Sequence, residues 1–177
     1  MRDLMVQPNA QQTIRLEQLR SFVLWKMAEI HDFQTSRYAT LEKIPLGVLR
    51  KNATQKHGVT RWRQHTHHLS IEGIELHPEL LSEEWQEYAK FVLYHEFLHG
   101  IGFKHHDAIF RQLESRWPLK NRKKVGREFT VFLQRKNASW QWVCSNCDIL
   151  IFRKKPSCGK YICKSCKTVL VDEPLYS

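Results

Sequence analysis

Between His95 and His106 the chain places four histidines and one glutamate, in the stretch YHEFLHGIGFKHHDAIF that spans residues 94–110. Five of these positions, His95-Glu96-Phe97-Leu98-His99, spell the pattern His-Glu-x-x-His. Residues i and i+4 share a helix face, so both imidazoles can reach one Zn²⁺ at ~2.0–2.1 Å. Glu96 lies next to His95 and is expected to take a proton from water instead of ligating. Zinc with Glu96 as general base is the arrangement of a hydrolase, in which a carbonyl is polarised and the proton then passes to a departing amine. Tyr94 adjoins the motif, but its helical position assigns it to the core.

Two histidines compete to be the third ligand. His105 completes the spacing His-x-x-x-His-x-x-Gly-x-x-His, in which Gly102 lets the chain turn and return an imidazole. That spacing is the metzincin one, but metzincins also need a downstream Met-turn, and the only methionines are residues 1, 5 and 27. His106 opens HDAIF at the start of a further helix, where Phe110, one turn on, can pack beneath it. His106 is favoured, with His105 as the alternative.

All five cysteines fall in the last third, at 144, 147, 158, 163 and 166. An odd number with no apolar leader argues against a disulfide framework. The spacing Cys144-x₂-Cys147-x₁₅-Cys163-x₂-Cys166 is that of a zinc site closed by four thiolates, a structural site with no open position. Metal binding then supplies folding free energy that so short a segment cannot draw from its core. Cys158 is left over as a loop thiol. Two zinc ions are expected, one catalytic and one structural.

The net charge of +10 is unevenly spread. Lys and Arg number 15 against 14 Asp and Glu up to Trp117, and 13 against 4 after it. Such asymmetry points to a polyanion partner, most often nucleic acid. Lys120, Arg122, Lys123, Lys124 and Arg127, with Arg153, Lys154, Lys155 and Lys160, are the candidate phosphate contacts. Trp140, Trp142, Phe152 and Tyr161 are either faces for stacking on unpaired bases or the small core of the cysteine segment.

Around these sites, hydrophobic residues at 42% and aromatics at 11% are enough for a real core and exclude wholesale disorder. The N-terminal residues lack a secretory h-region, and no apolar run approaches the ~18 residues that span a bilayer. A protein of the cytoplasm, nucleoid or nucleus is expected, without a membrane partner. Residues 11–33 carry Leu19, Phe22, Val23, Met27 and Ile30 at helical spacing. From Ile44 to Leu76, short alternating segments bounded by Gly, Pro and Asn read as two to four strands. A helix follows, N-capped by Ser82 and ended by Gly100 and Gly102, and another runs from about Asp107 to Arg116. The basic stretch LKNRKKVGR reads as a connector, and EFTVFLQ (128–134) alternates like a strand. The expected fold class is α+β, with a first domain over 1–118, a connector and strand over 119–139, and a zinc ribbon over 140–177.

HEFLH, a short turn and then HDAIF resemble the SprT-like (Spartan- and WLM-type) zinc metallopeptidases, as does the layout of strands before the active-site helix. The resemblance covers about Ile14 to Leu170. It implies a zincin-like metallopeptidase domain followed by a Cys₄ ribbon, with His95, His99 and His106 as ligands and Glu96 as base. It further implies a DNA-dependent endopeptidase acting on proteins crosslinked to or tightly bound on DNA, and the basic C-terminal third is expected to bind that DNA as single strands or junctions. Asp107 stands where the Spartan pattern has glycine, and the stretch between His99 and His106 is short for that subfamily.

Overall fold

The structure, a computed structural model, describes residues 6–64 and 69–175. It divides into two compact units, Met1–Arg122 and Lys123–Ser177.

In the first unit, helix α1 (Ala10–Ile30) starts with a capping box. Asn9 accepts from the Gln12 amide at 2.8 Å, and the Gln12 side chain accepts from the Asn9 amide at 3.0 Å. Its buried stripe is Leu16, Leu19, Val23 and Met27. Phe22, expected on that stripe, is 37% exposed, with the Lys90 ammonium 4.2 Å from its ring centre. A second helix, α2 (Thr35–Lys43), was not among the expected elements; its polar sequence buries only Leu41 and so carries no apolar period.

Three strands follow, β1 (Leu46–Val48), β2 (Gly58–Gln64) and β3 (Leu69–Leu76), in the order β1-β3-β2. β3 is central, parallel to β1 and antiparallel to β2, with a register shift at Arg61/Trp62. Side chains alternate across a strand, so one face of β3 presents Ile74 and Leu76, both fully buried, and the other presents Glu75. The Ile74 and Leu76 face also carries Gly58 and Thr60 of β2 by register.

Helix α3 (Gln86–Gly100) packs on that face and carries the His-Glu-x-x-His motif. Ser82 does not cap it; its hydroxyl donates back to the Glu79 carbonyl at 2.9 Å. Two single turns of 3₁₀ helix, Pro78–Leu81 and Glu83–Trp85, come first. The C-terminus is a Schellman motif: the Phe103 amide donates to Leu98 O and the Gly102 amide to His99 O, at 3.2 and 3.0 Å. Gly102 has φ +108, backbone that any side chain would strain. Helix α4 (Ala108–Ser115) is capped by Asp107, whose carboxylate accepts from the Phe110 amide at 2.9 Å.

A buried polar relay ties these helices together. Tyr94, fully buried as expected, donates to the Leu113 carbonyl. Its oxygen therefore accepts from His31 Nε2, 2.8 Å away. His31 Nδ1 is left to accept from Arg116 at 3.4 Å, so the neutral imidazole satisfies both nitrogens. Trp117 stacks on Tyr94 with ring centres 4.7 Å apart.

The expected connector and strand over 119–139 are instead largely one helix, α5 (Arg122–Lys136). Phe129 and Leu133, four residues apart, are buried, whereas Val131 is half exposed. The alternation in EFTVFLQ thus concealed an i, i+4 pair, and the Lys and Arg residues before it are good helix formers that carry the helix through Val125 and Gly126. The second unit then forms a sheet of β4 (Trp140–Val143), β5 (Leu150–Arg153) and β6 (Val171–Pro174), antiparallel in the order β5-β4-β6. Together the two units make a mixed α+β protein with two small sheets. Among the described residues no helix is long and apolar enough to cross a membrane.

Burial, helped by Arg116, pulls the His31 pKa from 6.5 to about 4. Burial and then His77 do the same to His57. Between about pH 6.5 and 4 the unfolded chain takes up protons that the folded chain refuses, so stability is complete above that window and is lost as pH falls through it. Thermal melts from pH 7 to 4.5 should show this decline. His31→Gln should flatten it, by at most about 1.4 kcal/mol per pH unit for one proton; parallel curves for wild type and variant would contradict the assignment.

Candidate metal centres

The turn after α3 returns His106 to the face of His95 and His99. His106 Nε2 lies 3.0 Å from His95 Nε2 and 3.1 Å from His99 Nε2. The opposite ring nitrogens of the two helical histidines are both engaged. His95 Nδ1 is 2.7 Å from Glu114 Oε1, and His99 Nδ1 is 2.6 Å from the Phe103 carbonyl. Both partners are acceptors, so each Nδ1 carries the proton and each Nε2 presents a lone pair. One Nε2–H on His106 can satisfy only one of those lone pairs. A cation satisfies all three, and tetrahedral ligands at ~2.0–2.1 Å stand about 3.3 Å apart, close to the observed spacing. The donor set therefore fits Zn²⁺.

Phe110 forms the floor. Its ring centre is 4.9, 4.8 and 4.7 Å from those of His95, His99 and His106, and it is 1% exposed. It holds the three imidazoles against one apolar plate, the packing expected of it beneath His106. Burial lowers the pKa of both His99 and His106, and their mutual proximity to His95 adds to it, which favours the neutral form a metal needs. His105 is exposed and lies outside the convergent group.

Glu96 is 5% exposed on the sheet side of α3. The Thr60 hydroxyl, on β2, donates to Glu96 Oε2 at 2.7 Å. Burial raises the Glu96 pKa, and the Thr60 hydrogen bond and His95 offset this only in part. Gly58 makes the approach of β2 to α3 possible, since a β-carbon there would sit 2.7 Å from Val92 and 2.8 Å from Glu96 Oε1. Burial would also raise Glu114, but the His95 hydrogen bond, with Arg122 3.7 Å away, holds its carboxyl below the usual range. Neither Thr60 nor Glu114 was foreseen from sequence. Glu114 had a signal, since it stands one helical turn beyond Phe110 on the same face of α4. Thr60 had none, because only the sheet register brings it to Glu96.

In the second unit Cys144, Cys147, Cys163 and Cys166 converge, their sulfurs all within 4.8 Å of one another. Tetrahedral Zn–S bonds of ~2.3 Å require sulfurs about 3.8 Å apart. Each Cys-x-x-Cys unit forms a tight turn. The Asp148 amide donates to Cys144 O and the Lys167 amide to Cys163 O, both at 3.0 Å. Asp148 and Lys167, the residues after each unit, have φ +53 and +64. The cluster is compatible with a zinc ribbon. Cys158 is exposed and outside it, in a turn closed by Asp172, which accepts from the Ser157 and Cys158 amides at 2.6 and 2.8 Å.

The expected nucleic-acid contacts separate on inspection of their surroundings. Lys120, Lys123, Lys124, Arg127, Arg153, Lys154, Lys155 and Lys160 are exposed. Arg122 is half-buried against Glu114. Trp142 is a core residue at 8% exposure, its indole donating to the Lys155 carbonyl at 3.1 Å, and so is not a free stacking face. Trp140 and Phe152 are half-buried, while Tyr161, stacked on Trp142 at 4.6 Å, is 53% exposed.

With that geometry established, comparison with known proteins adds one distant likeness. Over 107 residues, 56% of this chain and 69% of the relative, the sequence is 23% identical to a "Protein SprT-like" of Streptococcus equi subsp. zooepidemicus (strain MGCS10565). The same figures hold for the protein of that description in Streptococcus equi subsp. equi (strain 4047). No family model matches the chain, and no solved structure does.

Elemental analysis should find two zinc ions per chain. Cys163→Ser should lose one, His99→Ala the other, and a content of one in the wild type would dissolve one of the centres. A carboxylate that orients a zinc-bound histidine is typically worth about 10–100-fold in metal affinity. Chelator competition should therefore show Glu114→Gln weakening the histidine centre by that factor and leaving the cysteine centre untouched; unchanged affinity at both would remove Glu114 from the site.

Proposed function

We infer that the protein is a zinc-dependent endopeptidase of the SprT-like kind, associated with DNA and acting on DNA-bound or DNA-crosslinked proteins, and that its first unit is a zincin-like domain. The observation that carries the peptidase reading is the convergence of three imidazole Nε2 atoms at the helix that also carries the buried Glu96 carboxylate, which accepts from the Thr60 hydroxyl. His95, His99 and His106 would hold the catalytic Zn²⁺ and the four ribbon cysteines a structural one. The catalytic ion would supply a Lewis acid that polarises a peptide carbonyl and acidifies water.

The chain's own residues account for the proton transfers. Thr60 fixes Oε2 of Glu96, leaving Oε1 to accept a proton from the attacking water. The raised pKa of Glu96 brings it nearer to the range in which a carboxyl both takes up a proton and returns it, here to the amine nitrogen of the leaving peptide. Glu114 and the Phe103 carbonyl keep two ligand rings in the tautomer that presents Nε2. Phe110 excludes water from beneath them.

Support for the DNA partner is electrostatic. The excess positive charge lies after Trp117, on exposed side chains of α5 and of the ribbon. The distant SprT-like relatives add weight to the peptidase reading alone.

Glu96→Gln should keep the fold and both zinc ions but lower cleavage of a DNA-bound protein by about 10²–10⁴, the usual worth of general acid–base catalysis. Undiminished cleavage would remove Glu96 from the mechanism, and a wild type that cleaves nothing in the presence of single-stranded DNA would leave a binding protein. DNA affinity should fall steeply from 50 to 200 mM salt; a flat response would contradict phosphate contacts.

A further inference from the structure

The sheet of the second unit has two faces, and its core lies against one of them. Side chains alternate along a strand, so Trp142, Ile151 and Leu170 turn to the cysteines while their neighbours turn the other way. Those neighbours are largely aliphatic. Register sets Leu150 and Val171 on either side of Val143, and Val169, two residues before Val171, is bridged to Ile162. The Leu170 amide donates to the Tyr161 carbonyl at 2.9 Å, which places the Ile162 segment on the edge of that chain away from β4. Ile162, Val169, Val171, Val143 and Leu150 thus form one continuous row, with the half-buried Phe152 beside Leu150. Leu150, Ile162, Val169 and Val171 are 52%, 53%, 50% and 51% exposed. The solvent face of an antiparallel sheet is ordinarily polar, and a continuous apolar strip there marks a surface that a partner covers.

Chemistry, size and charge select the occupant. Unpaired bases stack on aromatic rings, and this row is aliphatic apart from Phe152, so nucleic acid fits it poorly. A second copy would bring the same few side chains, far short of the roughly 20–30 residues a side that a stable interface uses. It would also bring like charge, since residues 140–177 hold six Lys and Arg against three Asp and Glu. A short acidic segment of another protein meets both conditions. At the Ile162 end the row runs into the Cys163–Cys166 turn, which carries the exposed side chains of Lys164 and Lys167. An extended peptide would add to a sheet edge, whereas a helix lies across a face. Three inter-strand steps of about 4.8 Å make the row about 14 Å long, which a helix of ~10 residues spans. We propose that this face docks an amphipathic helix of a partner protein, aliphatic on one side and acidic at the end that meets Lys164 and Lys167. The docking surface belongs to the ribbon alone and does not depend on the peptidase reading.

The probe is a synthetic amphipathic helix of about 14 residues with leucine on one face and glutamate on the other, and its control carries lysine for glutamate. In NMR titrations of the full-length, zinc-loaded protein, the glutamate peptide should shift the resonances of Val143, Leu150, Val169 and Val171 and bind more tightly than the lysine peptide. Leu150→Thr and Val171→Thr keep residues suited to strands and should each weaken that binding about 5–30-fold, the range for side chains that carry an interface. Lys164→Glu combined with Lys167→Glu should turn the preference to the lysine peptide, and it tests the same face should a threonine variant fail to fold. No binding of the glutamate peptide at millimolar concentration would overturn the proposal, as would equal affinity for the two peptides or unchanged affinity in every variant. A wild-type dimer that Val171→Thr dissociates would overturn it in favour of a second copy. Loss of single-stranded DNA affinity in the threonine variants would overturn it in favour of nucleic acid.

Discussion

Three imidazole nitrogens meeting within hydrogen-bond distance is an arrangement that neutral histidines do not adopt of themselves. Lone pairs facing one another at 3.0–3.1 Å repel unless a proton or a cation lies between them. Much of the first unit bears on holding that geometry. The Schellman turn at Gly102 places the Phe103 carbonyl on His99 and swings the chain so that His106 returns. Asp107 starts α4 immediately afterwards, which fixes Phe110 under the rings and Glu114 behind His95. The same short segment therefore supplies a ligand, a floor and an orienting carboxylate.

The sheet contributes the other half. Gly58 lets β2 come close to α3, and Thr60, two residues on, meets the Glu96 carboxylate. Burying a carboxylate is unfavourable unless it is hydrogen-bonded, and here the hydroxyl stabilises it while burial keeps its proton affinity high. The relay from His31 through Tyr94 to the Leu113 carbonyl locks α1, α3 and the end of α4 from the opposite side. The second unit relies on a different device. The cluster beneath its sheet is little more than Trp142, Leu170 and the cysteines themselves, so a metal held by the four converging sulfurs would supply much of the stability of that part.

The legible parts of the sequence were those in which spacing carries the chemistry. The i, i+4 histidines and the paired Cys-x-x-Cys units are periodic signals that tertiary context does not alter. The choice between His105 and His106 was harder, because one residue of phase along a turn decides which ring faces inward. The turn's geometry, set by Gly102 and the Asp107 cap, puts His106 in the group and leaves His105 at the surface. Residues 128–134 misled because Phe129, Val131 and Leu133 satisfy a period of two while Phe129 and Leu133 also satisfy a helical one. Glu114 and Thr60 were out of reach for another reason: hydrogen bonds across 19 and 36 residues leave no local pattern.

The account stands on a metal held by nitrogen as well as one held by sulfur. X-ray absorption at the zinc edge of the metal-loaded protein separates the two, since Zn–N and Zn–S shells fall at about 2.0–2.1 and 2.3 Å. The prediction is both shells in the wild type, with the shorter one persisting when the ribbon cysteines are replaced. A spectrum of sulfur ligands alone would contradict it, and the histidines would then have converged on nothing.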